Sequence, residues 1–242
     1  MEKDETLGET IKTIVYAVVI AILIRTFLFE PFKIPSTSML PTLKVGDFLF
    51  VSKYTYGYSR HSLPLSIPLI NGRVWDDAPL RGEVVVFKFP QDNKKDFIKR
   101  VIGLPGDKIE IIKGRLFIND EQAEREQIED YVERDMYGNA IRYNQYIETL
   151  PDGKKHYILE ISDNEDHDNM PGVIVPDRSY FMMGDNRDNS DDSRGSVGFV
   201  PEENLVGKAR FLFYSHNEKG AWYMPWTWPR KIRWNRLFNT ID

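Results

Sequence analysis

The stretch DFIKRVIGLPGDKIEIIKGRLFIN, residues 96–119, alternates short apolar runs with turn residues and decides the class of fold. Within it, Ile109-Glu110-Ile111 and Leu116-Phe117-Ile118 flank Lys113-Gly114, a pattern that predicts a β-hairpin. Short apolar runs of the same kind recur on both sides, at residues 48–51, 84–87, 173–175, 180–183 and 209–214. Short strands separated by glycine and proline turns predict a mainly β domain.

One long apolar segment lies near the N-terminus. Residues 14–24 are all apolar, and after Arg25 and Thr26 the segment resumes at residues 27–29. As a helix, residues 11–29 would be about 28 Å long, close to the roughly 30 Å thickness of the hydrocarbon core of a bilayer. The sequence therefore predicts an N-terminal tail at residues 1–10 and a transmembrane anchor at residues 11–29.

Two other interpretations of this segment are a cleavable secretory signal and a helix buried in a soluble core. Acidic residues precede the run and bulky residues follow it, which is unlike a signal peptide. The run also lacks the polar face of an ordinary core helix. The positive-inside rule hardly decides the orientation, because basic residues lie near both ends of the span.

The composition sets further limits. The chain has 242 residues, no cysteine and a net charge of −5, so thiol chemistry and disulfides are excluded. Acidic residues are concentrated in residues 120–168, and no concentrated basic face of the kind that binds nucleic acid is evident. This stretch predicts a subdomain inserted at residues 120–170. Tryptophans among basic residues at 216–242 indicate either a membrane-proximal segment or aromatic packing on the domain.

Ser38 lies in a constrained loop after the anchor, PSTSMLPTL at residues 35–43. A serine nucleophile needs a base within hydrogen-bond reach. Spacing alone does not exclude a histidine, but none has a setting typical of a triad among His61, His156, His167 and His216. Lys99 is the other candidate, because on a strand it would share an apolar face with Phe97 and Val101, where burial lowers its pKa. The competing interpretation is an edge lysine that discourages aggregation.

A polar segment, GDNRDNSDDSR at residues 184–194, follows the apolar residues 181–183. It does not fit an EF-hand calcium loop, because Ser193 stands where glycine is required and Phe199 where glutamate is required. Its dense donors and acceptors indicate either a plain polar turn or a buried hydrogen-bond network that supports a site.

Together the three segments resemble the nucleophile, lysine and C-terminal boxes of bacterial type I signal peptidases, in the family's order and directly after a membrane anchor. The matching residues are Ser36-x-Ser38-Met39-x-Pro41-Thr42, Lys99-Arg100-Val101-x-Gly103-Leu104-Pro105-Gly106-Asp107 and the whole segment 184–194 except Asp191. Residues 81–87 resemble a fourth box, with Glu83 in place of the usual aspartate. The resemblance extends from about Arg25 to Arg210.

The resemblance implies a membrane-bound serine endopeptidase with a serine–lysine dyad. Ser38 would be the nucleophile and Lys99 the general base, with Ser190 holding the lysine amine in line. The backbone N–H of Ser38 and the hydroxyl of Ser36 would form the oxyanion hole. No cofactor and no metal ion is implied.

Two further groups of residues carry over from the family. One is a supporting ion-pair network formed by Asp185, Asp192, Arg100 and Arg194. The other is a set of shallow pockets for small substrate side chains, lined by Phe32, Ile34, Pro35, Phe97 and Ile98. The implied fold is a signal-peptidase or LexA-like catalytic β-domain at residues 30–119 and 171–215, interrupted by the acidic β subdomain.

The implied activity is the removal of N-terminal signal peptides from exported preproteins, by a cut after a small-x-small motif. The expected partners are these preproteins, the lipid bilayer and the secretion translocon, with no nucleic acid. The expected location is the bacterial inner membrane, crossed once, with a cytoplasmic N-terminus and a periplasmic catalytic domain. Alternatives are a non-catalytic membrane-tethered β-domain that binds export partners, a mitochondrial inner-membrane peptidase and a self-cleaving protease similar to the LexA repressors.

Overall fold

A single apolar helix precedes a body built of strands. The computed structural model describes the ranges 7–63, 66–134, 139–217 and 231–241. Helix α1 spans Leu7–Phe27, and nearly all of its apolar side chains are exposed. By length and composition, its Gly8–Phe27 part is apolar enough to cross a membrane. The helix begins and ends earlier than the predicted span of residues 11–29, because Phe29 already belongs to the first strand.

Short strands dominate the rest of the described chain. In chain order they are β1 (Phe29–Lys33), β2 (Asp47–Ser52), β3 (Tyr58–Ser59), β4 (Arg73–Val74), β5 (Val84–Lys88), β6 (Asp96–Gly103), β7 (Lys108–Ile112), β8 (Arg115–Ile118), β9 (Glu121–Gln122), β10 (Glu124–Gln127), β11 (Tyr131–Arg134), β12 (Ala140–Thr149), β13 (Lys155–Glu160), β14 (Met170–Ile174), β15 (Ser179–Met183), β16 (Val200–Pro201) and β17 (Leu205–Ser215). Single-turn 3-10 helices lie at Tyr54–Tyr56, Arg60–Ser62, Arg187–Asn189, Glu202–Asn204 and Trp234–Arg236. The predicted mainly β fold is confirmed, and the predicted hairpin corresponds to β7 and β8.

Seven strands form the antiparallel sheet on which the candidate site is built, in the order β1-β2-β17-β5-β6-β15-β16. Strand β5 is central and fully apolar from Val84 to Phe87. Val84 and Val86 pack in one core cluster, whereas Val85 and Phe87 pack in another. Because both faces of β5 are covered, its sequence is a continuous apolar run rather than an alternation.

The acidic insertion forms a sheet of its own, in which β12 pairs with β10, β11 and β13. Strand β9 does not join it, because β9 pairs with β8, and β14 pairs with β7, in a separate four-stranded sheet. The separate sheet therefore occupies residues 124–160, a narrower range than the 120–170 predicted for the subdomain. We call residues 124–160 the inserted sheet.

The C-terminal segment returns to the main sheet. Ile241 is buried in a core cluster with residues of β2 and β17. Trp234 is exposed, and outside the described residues lie Trp222, Trp226 and Trp228. Membrane contact by residues 216–242 stays a prediction.

Candidate active site

A serine and a lysine from distant parts of the chain meet beside strand β6. Nζ of Lys99 lies 2.6 Å from Oγ of Ser38. The alternation of β6 places Lys99 on the face of Phe97 and Val101, as predicted, and Nζ lies 5.6 Å from the centre of the Phe97 ring. Lys99 is only 3% exposed. An edge lysine that discourages aggregation would keep its ammonium in water, so the burial excludes that interpretation.

The surroundings of Lys99 favour its neutral form. Burial is the largest effect and lowers the pKa of Lys99 to about 8, while the charges of Asp192, Asp191 and Asp185 oppose this shift. Desolvation destabilises an ammonium that has no adjacent counter-ion. About a tenth of the amine is therefore unprotonated at pH 7, far more than at the ordinary lysine pKa, and the neutral amine is the state that a general base needs.

No histidine competes for the serine among the described contacts. Oγ of Ser38 has Lys99 and Ser36 as its hydrogen-bond neighbours. His61 contacts the hydroxyl of Ser66, and His156 lies beside the carboxylate of Glu148. The structure thus favours lysine over histidine as the partner of Ser38.

Two further serines lie close to the pair. Oγ of Ser36 lies 3.4 Å from Oγ of Ser38, and the side chain of Ser36 is outside the core. Ser190 is buried, and its hydroxyl lies beside the carboxylate of Asp192, whose pKa it helps to lower. The predicted hydrogen bond between Ser190 and the Lys99 amine is not formed in the described residues.

Gly184 is a site residue that the motif contained but to which no role was assigned. A Cβ atom at this position would lie 2.2 Å from Oγ of Ser190 and 2.5 Å from the carbonyl oxygen of Ser38. Real Cβ atoms do not approach other atoms so closely, so only glycine fits without displacing the serines. The signal in the sequence is a glycine that ends an apolar strand and opens a polar loop.

The first predicted ion pair joins three parts of the site. Arg100 on β6 donates two hydrogen bonds of 2.8 Å to the carboxylate of Asp185, and both side chains are buried. Asp185 also accepts a 2.5 Å hydrogen bond from the hydroxyl of Thr42, in the segment that follows Ser38. Burial opposes ionisation, but Arg100 holds the pKa of Asp185 below its ordinary value. The pair therefore fixes β6, the loop after β15 and the Ser38 segment together.

The second predicted ion pair lies within residues 184–194, which we call the polar loop. Arg194 donates two hydrogen bonds of 2.9 Å to Asp192. The same carboxylate accepts a 2.9 Å hydrogen bond from the backbone N–H of Gly184, and Arg194 donates to the carbonyl of Arg187 at 2.5 Å. The polar loop is thus a folded network rather than a plain turn, and its two ends are held together by Asp192.

The predicted pocket residues divide between the two faces of β6. Phe32 and Ile98 are partly buried and pack on the cluster that contains Ile34, which is itself 2% exposed. Phe97 lies on the opposite face, stacked on Phe87 and Phe89, and Pro35 is exposed. Ile34 therefore lies in the core, whereas the other four have surface available to a ligand.

An apolar N-terminal helix followed by a β-sheet that buries a lysine beside a serine is the arrangement typical of membrane-anchored serine peptidases. The family model described as signal peptidase, peptidase S26 matches residues 7–214. The chain belongs to this family of serine proteases, and the predicted family and enzyme class are confirmed.

The chain is similar to signal peptidases over most or all of its length in two relatives and over about half of its length in a solved structure. Signal peptidase I of Rickettsia massiliae (strain Mtu5) is 37% identical over 269 residues, covering 100% of this chain and 98% of that protein. Signal peptidase I of Rickettsia typhi (strain ATCC VR-144 / Wilmington) is 38% identical, covering 98% and 95% respectively. A crystal structure of a signal peptidase I from Enterococcus faecalis V583 is 26% identical, covers 55% of this chain and 97% of its own, and has a TM-score of 0.33.

Proposed function

We propose that this chain removes signal peptides from exported preproteins by cutting after a small-x-small motif, with Ser38 as nucleophile and Lys99 as general base. The observation that carries the proposal is a lysine that is 3% exposed and has its amine 2.6 Å from a serine hydroxyl. Membership of the signal peptidase family supports the substrate class.

The chemistry begins with the neutral amine of Lys99. Nζ takes the proton of the Ser38 hydroxyl while Oγ attacks the scissile carbonyl carbon. The resulting ammonium then gives this proton to the leaving amine as the C–N bond breaks, which leaves an acyl ester on Ser38. A water molecule, deprotonated by the same amine, hydrolyses the ester and restores the hydroxyl.

The negative charge that develops on the carbonyl oxygen needs donors that are already in place. The backbone N–H of Ser38 and the hydroxyl of Ser36 are the proposed pair, and the 3.4 Å separation of the two serine Oγ atoms supports this use of Ser36. Donors fixed before the reaction stabilise the oxyanion without reorganisation. Ser190, which is buried beside the dyad, is the proposed group that aligns the Lys99 amine.

The substrate is proposed to lie extended along β6. Strand β5 pairs with β6 from Asp96 to Arg100, but the ladder of β15 with β6 reaches only from Gly103 to Arg100. The opposite edge of β6 at residues 96–99 thus has no ladder partner in the described chain. An extended peptide adds readily to such an edge, with Phe32, Phe97 and Ile98 near its small side chains.

The place of the site relative to the helix supports a location of the catalytic domain beside the membrane. Strand β1 begins two residues after α1 ends, so Ser38 lies a short distance along the chain from the apolar helix. A cleavage site that emerges from the bilayer would meet a nucleophile there. We propose the bacterial inner membrane, with a cytoplasmic N-terminus, a periplasmic catalytic domain in contact with lipid, and the secretion translocon as the source of substrate.

The test is cleavage of a preprotein with a small-x-small site by the detergent-solubilised full chain. We expect the wild type to cut after the second small residue and Ser38→Ala and Lys99→Ala to be silent while folded. Ser59→Ala and Lys53→Ala are matched controls, because both side chains are as deeply buried but lie outside the proposed dyad. A fully active Lys99→Ala would remove lysine as the base, and a folded but inactive wild type would favour a non-catalytic binding domain.

A further inference from the structure

A buried ion pair ties the inserted sheet to the polar loop. Arg187 of the loop donates two hydrogen bonds to the carboxylate of Glu148 on β12, one of them 2.8 Å long. Their side chains are 3% and 2% exposed. His156 on β13 lies directly opposite Glu148, with Nε2 3.3 Å from the carboxylate. A buried carboxylate that is held by a guanidinium in this bidentate way is fixed in both position and orientation.

Burial and the neighbouring charges together set the charge states of this group. Burial opposes ionisation of Glu148, but Arg187 and His156 hold the pKa of its carboxyl below the ordinary value. Burial and the nearby charge of Arg100 lower the pKa of His156. Glu148 and Arg187 therefore form a buried ion pair beside the neutral imidazole of His156. Removing one member leaves the other buried without a partner, which is strongly unfavourable.

The backbone at the end of β13, and of the two residues that follow it, also forms hydrogen bonds with the polar loop. The N–H of Leu159 donates to the carbonyl of Asp185 at 2.8 Å, which continues β13 into a parallel bridge with Asn186. The carboxylate of Asp188 accepts hydrogen bonds of 2.6 and 3.2 Å from the N–H groups of Ile161 and Ser162. Asp185, Asn186 and Asp188 of the polar loop are thus held in place by the backbone of residues 159–162.

The polar loop in turn holds the segment of the nucleophile. The N–H of Asn186 donates to the carbonyl of Ser38 at 3.1 Å, and its side chain donates to the carbonyl of Thr37 at 3.1 Å. Asn189 donates to the hydroxyl of Thr37 at 2.8 Å. The inserted sheet also touches this segment directly, because Tyr143 and Leu159 pack against Leu40.

From these contacts we propose that the inserted sheet is a positioning element of the active site, in which Glu148 fixes Arg187 and thereby the loop that holds Ser38 and Ser190. The inference rests on the proposed function of Ser38. Glu148 and Arg187 are positioning residues, since they reach the nucleophile only through Asn186 and the loop backbone. The proposal gives the acidic insertion a specific task, which is to set the geometry of the dyad rather than to bind a separate ligand.

The test compares single and double replacements of the pair. Glu148→Leu and Arg187→Leu alone each leave a buried charge unpaired, whereas the double variant removes both charges and is expected to regain much of the lost thermal stability. We expect the double variant to keep KM within about twofold and to lose tenfold or more in kcat, because the β6 edge is intact while the nucleophile is misplaced by a fraction of an ångström. Glu148→Gln, which keeps the shape, should lose less.

The matched control is Arg125 of the inserted sheet, whose hydrogen bonds go to Glu160, Asp163 and Gly114 rather than to the polar loop. Its partner Glu160 is left unchanged, because the charges of Arg187 and Asp188 act on that carboxylate. The Arg125→Leu variant should change the melting temperature and leave kcat within about twofold. A Glu148→Leu/Arg187→Leu enzyme that is folded and has wild-type kcat would overturn the inference.

A measurement without substrate separates this inference from the proposed function. Amide hydrogen exchange of Asn186, whose N–H donates to the carbonyl of Ser38, should be tenfold or more faster in the Glu148→Leu/Arg187→Leu and Glu148→Gln variants than in wild type. Unchanged exchange would overturn the inference whatever the activity. A wild type that does not cut, or a Ser38→Ala variant that does, would overturn the proposed function instead.

Discussion

Two lysines of this chain are equally buried, each 3% exposed, yet their surroundings differ in one decisive respect. Lys53, where the helix meets the main sheet, has Nζ 2.8 Å from a carboxylate oxygen of Glu30 and 2.8 Å from the carbonyl of Ser62. Lys99 has a serine hydroxyl at 2.6 Å and no carboxylate within ion-pair distance in the described residues. Burial alone therefore does not turn a lysine into a general base. A buried lysine is suited to that role when no counter-ion lies beside it, because only then is the neutral amine favoured.

The largest expected difference between the two regions is in catalysis. Lys99→Met should lower kcat by about 10⁴-fold or more, as the loss of a member of a nucleophile–base unit does. Lys53→Met should leave kcat of the folded enzyme nearly unchanged, because its partners are structural. Single-turnover cleavage of a small-x-small preprotein at saturating enzyme measures both. Equal losses for the two variants would mean that the comparison reflects folding rather than chemistry.

The next effect concerns the oxyanion hole. Ser36→Ala removes one proposed donor, and such a loss typically lowers kcat about 10²–10³-fold. KM should change little, because the ground-state carbonyl needs this donor less than the oxyanion does. Ser179→Ala, on β15, is the control and should retain activity. An unchanged kcat for Ser36→Ala would assign the second donor to another group.

A smaller loss of activity is expected when a methyl group is added at Gly184, where the carbonyl of Ser38 lies close to the backbone. Gly184→Ala would place Cβ 2.5 Å from the carbonyl of Ser38, so the nucleophile segment must shift. A misplacement of this order costs about 10²-fold in rate. Gly172→Ala is the matched control, since its Cβ would meet only the flexible end of Lys108. Full activity of a folded Gly184→Ala would show that the site adapts without loss.

The pH dependence of the cleavage rate also reports on the environment of Lys99, without any substitution. Lys99 acts as a base only when neutral, and its pKa is lowered to about 8 by burial. The value of kcat/KM, which reports on the free enzyme, should therefore rise about tenfold per pH unit below pH 8 and level off above it. A rise that continues to the ordinary lysine value of about 10.4 would contradict the desolvation of Lys99.

The features of the site that could be predicted from the sequence are those that depend on short segments of the chain. Alternation along residues 97–101 placed Lys99 on an apolar face, and the order of the three boxes indicated that Ser38, Lys99 and residues 184–194 belong together. The first deduction needs only the period of a strand, whereas the second depends on the resemblance of the three segments to the signal peptidase boxes. The apolar run at residues 84–87 predicted a strand, and the structure adds that both faces of this strand are covered.

What the sequence could not supply was the partner of each buried charge. Glu148 lies in a stretch whose acidic composition is typical of a solvated surface, yet it is 1% exposed and paired with Arg187, 39 residues away. Such a pairing depends on how the inserted sheet packs on the polar loop, and no periodicity encodes it. The role of Gly184 was hidden for the same reason, since the atoms that exclude a side chain come from Ser38 and Ser190.

The smallest expected effect, on stability, has opposite signs for the two lysines. For Lys99 the folded pKa is below the unfolded value of 10.5, so the unfolded state binds the proton more tightly between pH 8 and 10.5 and stability falls as pH decreases through this window. Below pH 8 the cost approaches about 3 kcal/mol. Lys99→Met should therefore raise the free energy of unfolding by up to about 3 kcal/mol at pH 7, and the gain should vanish above pH 10.5.

Lys53→Met should lower the free energy of unfolding, because it leaves the carboxylate of Glu30 without one of its two cations. Arg25 still contacts Glu30 at 2.6 Å, so the loss is that of a charged hydrogen bond, about 1–3 kcal/mol. Urea unfolding of both variants at pH 7 and pH 10.5 measures the two signs. Destabilisation by Lys99→Met at pH 7 would mean that its ammonium is stabilised where it lies, and the neutral fraction of the proposed base would then be smaller than a pKa of about 8 gives.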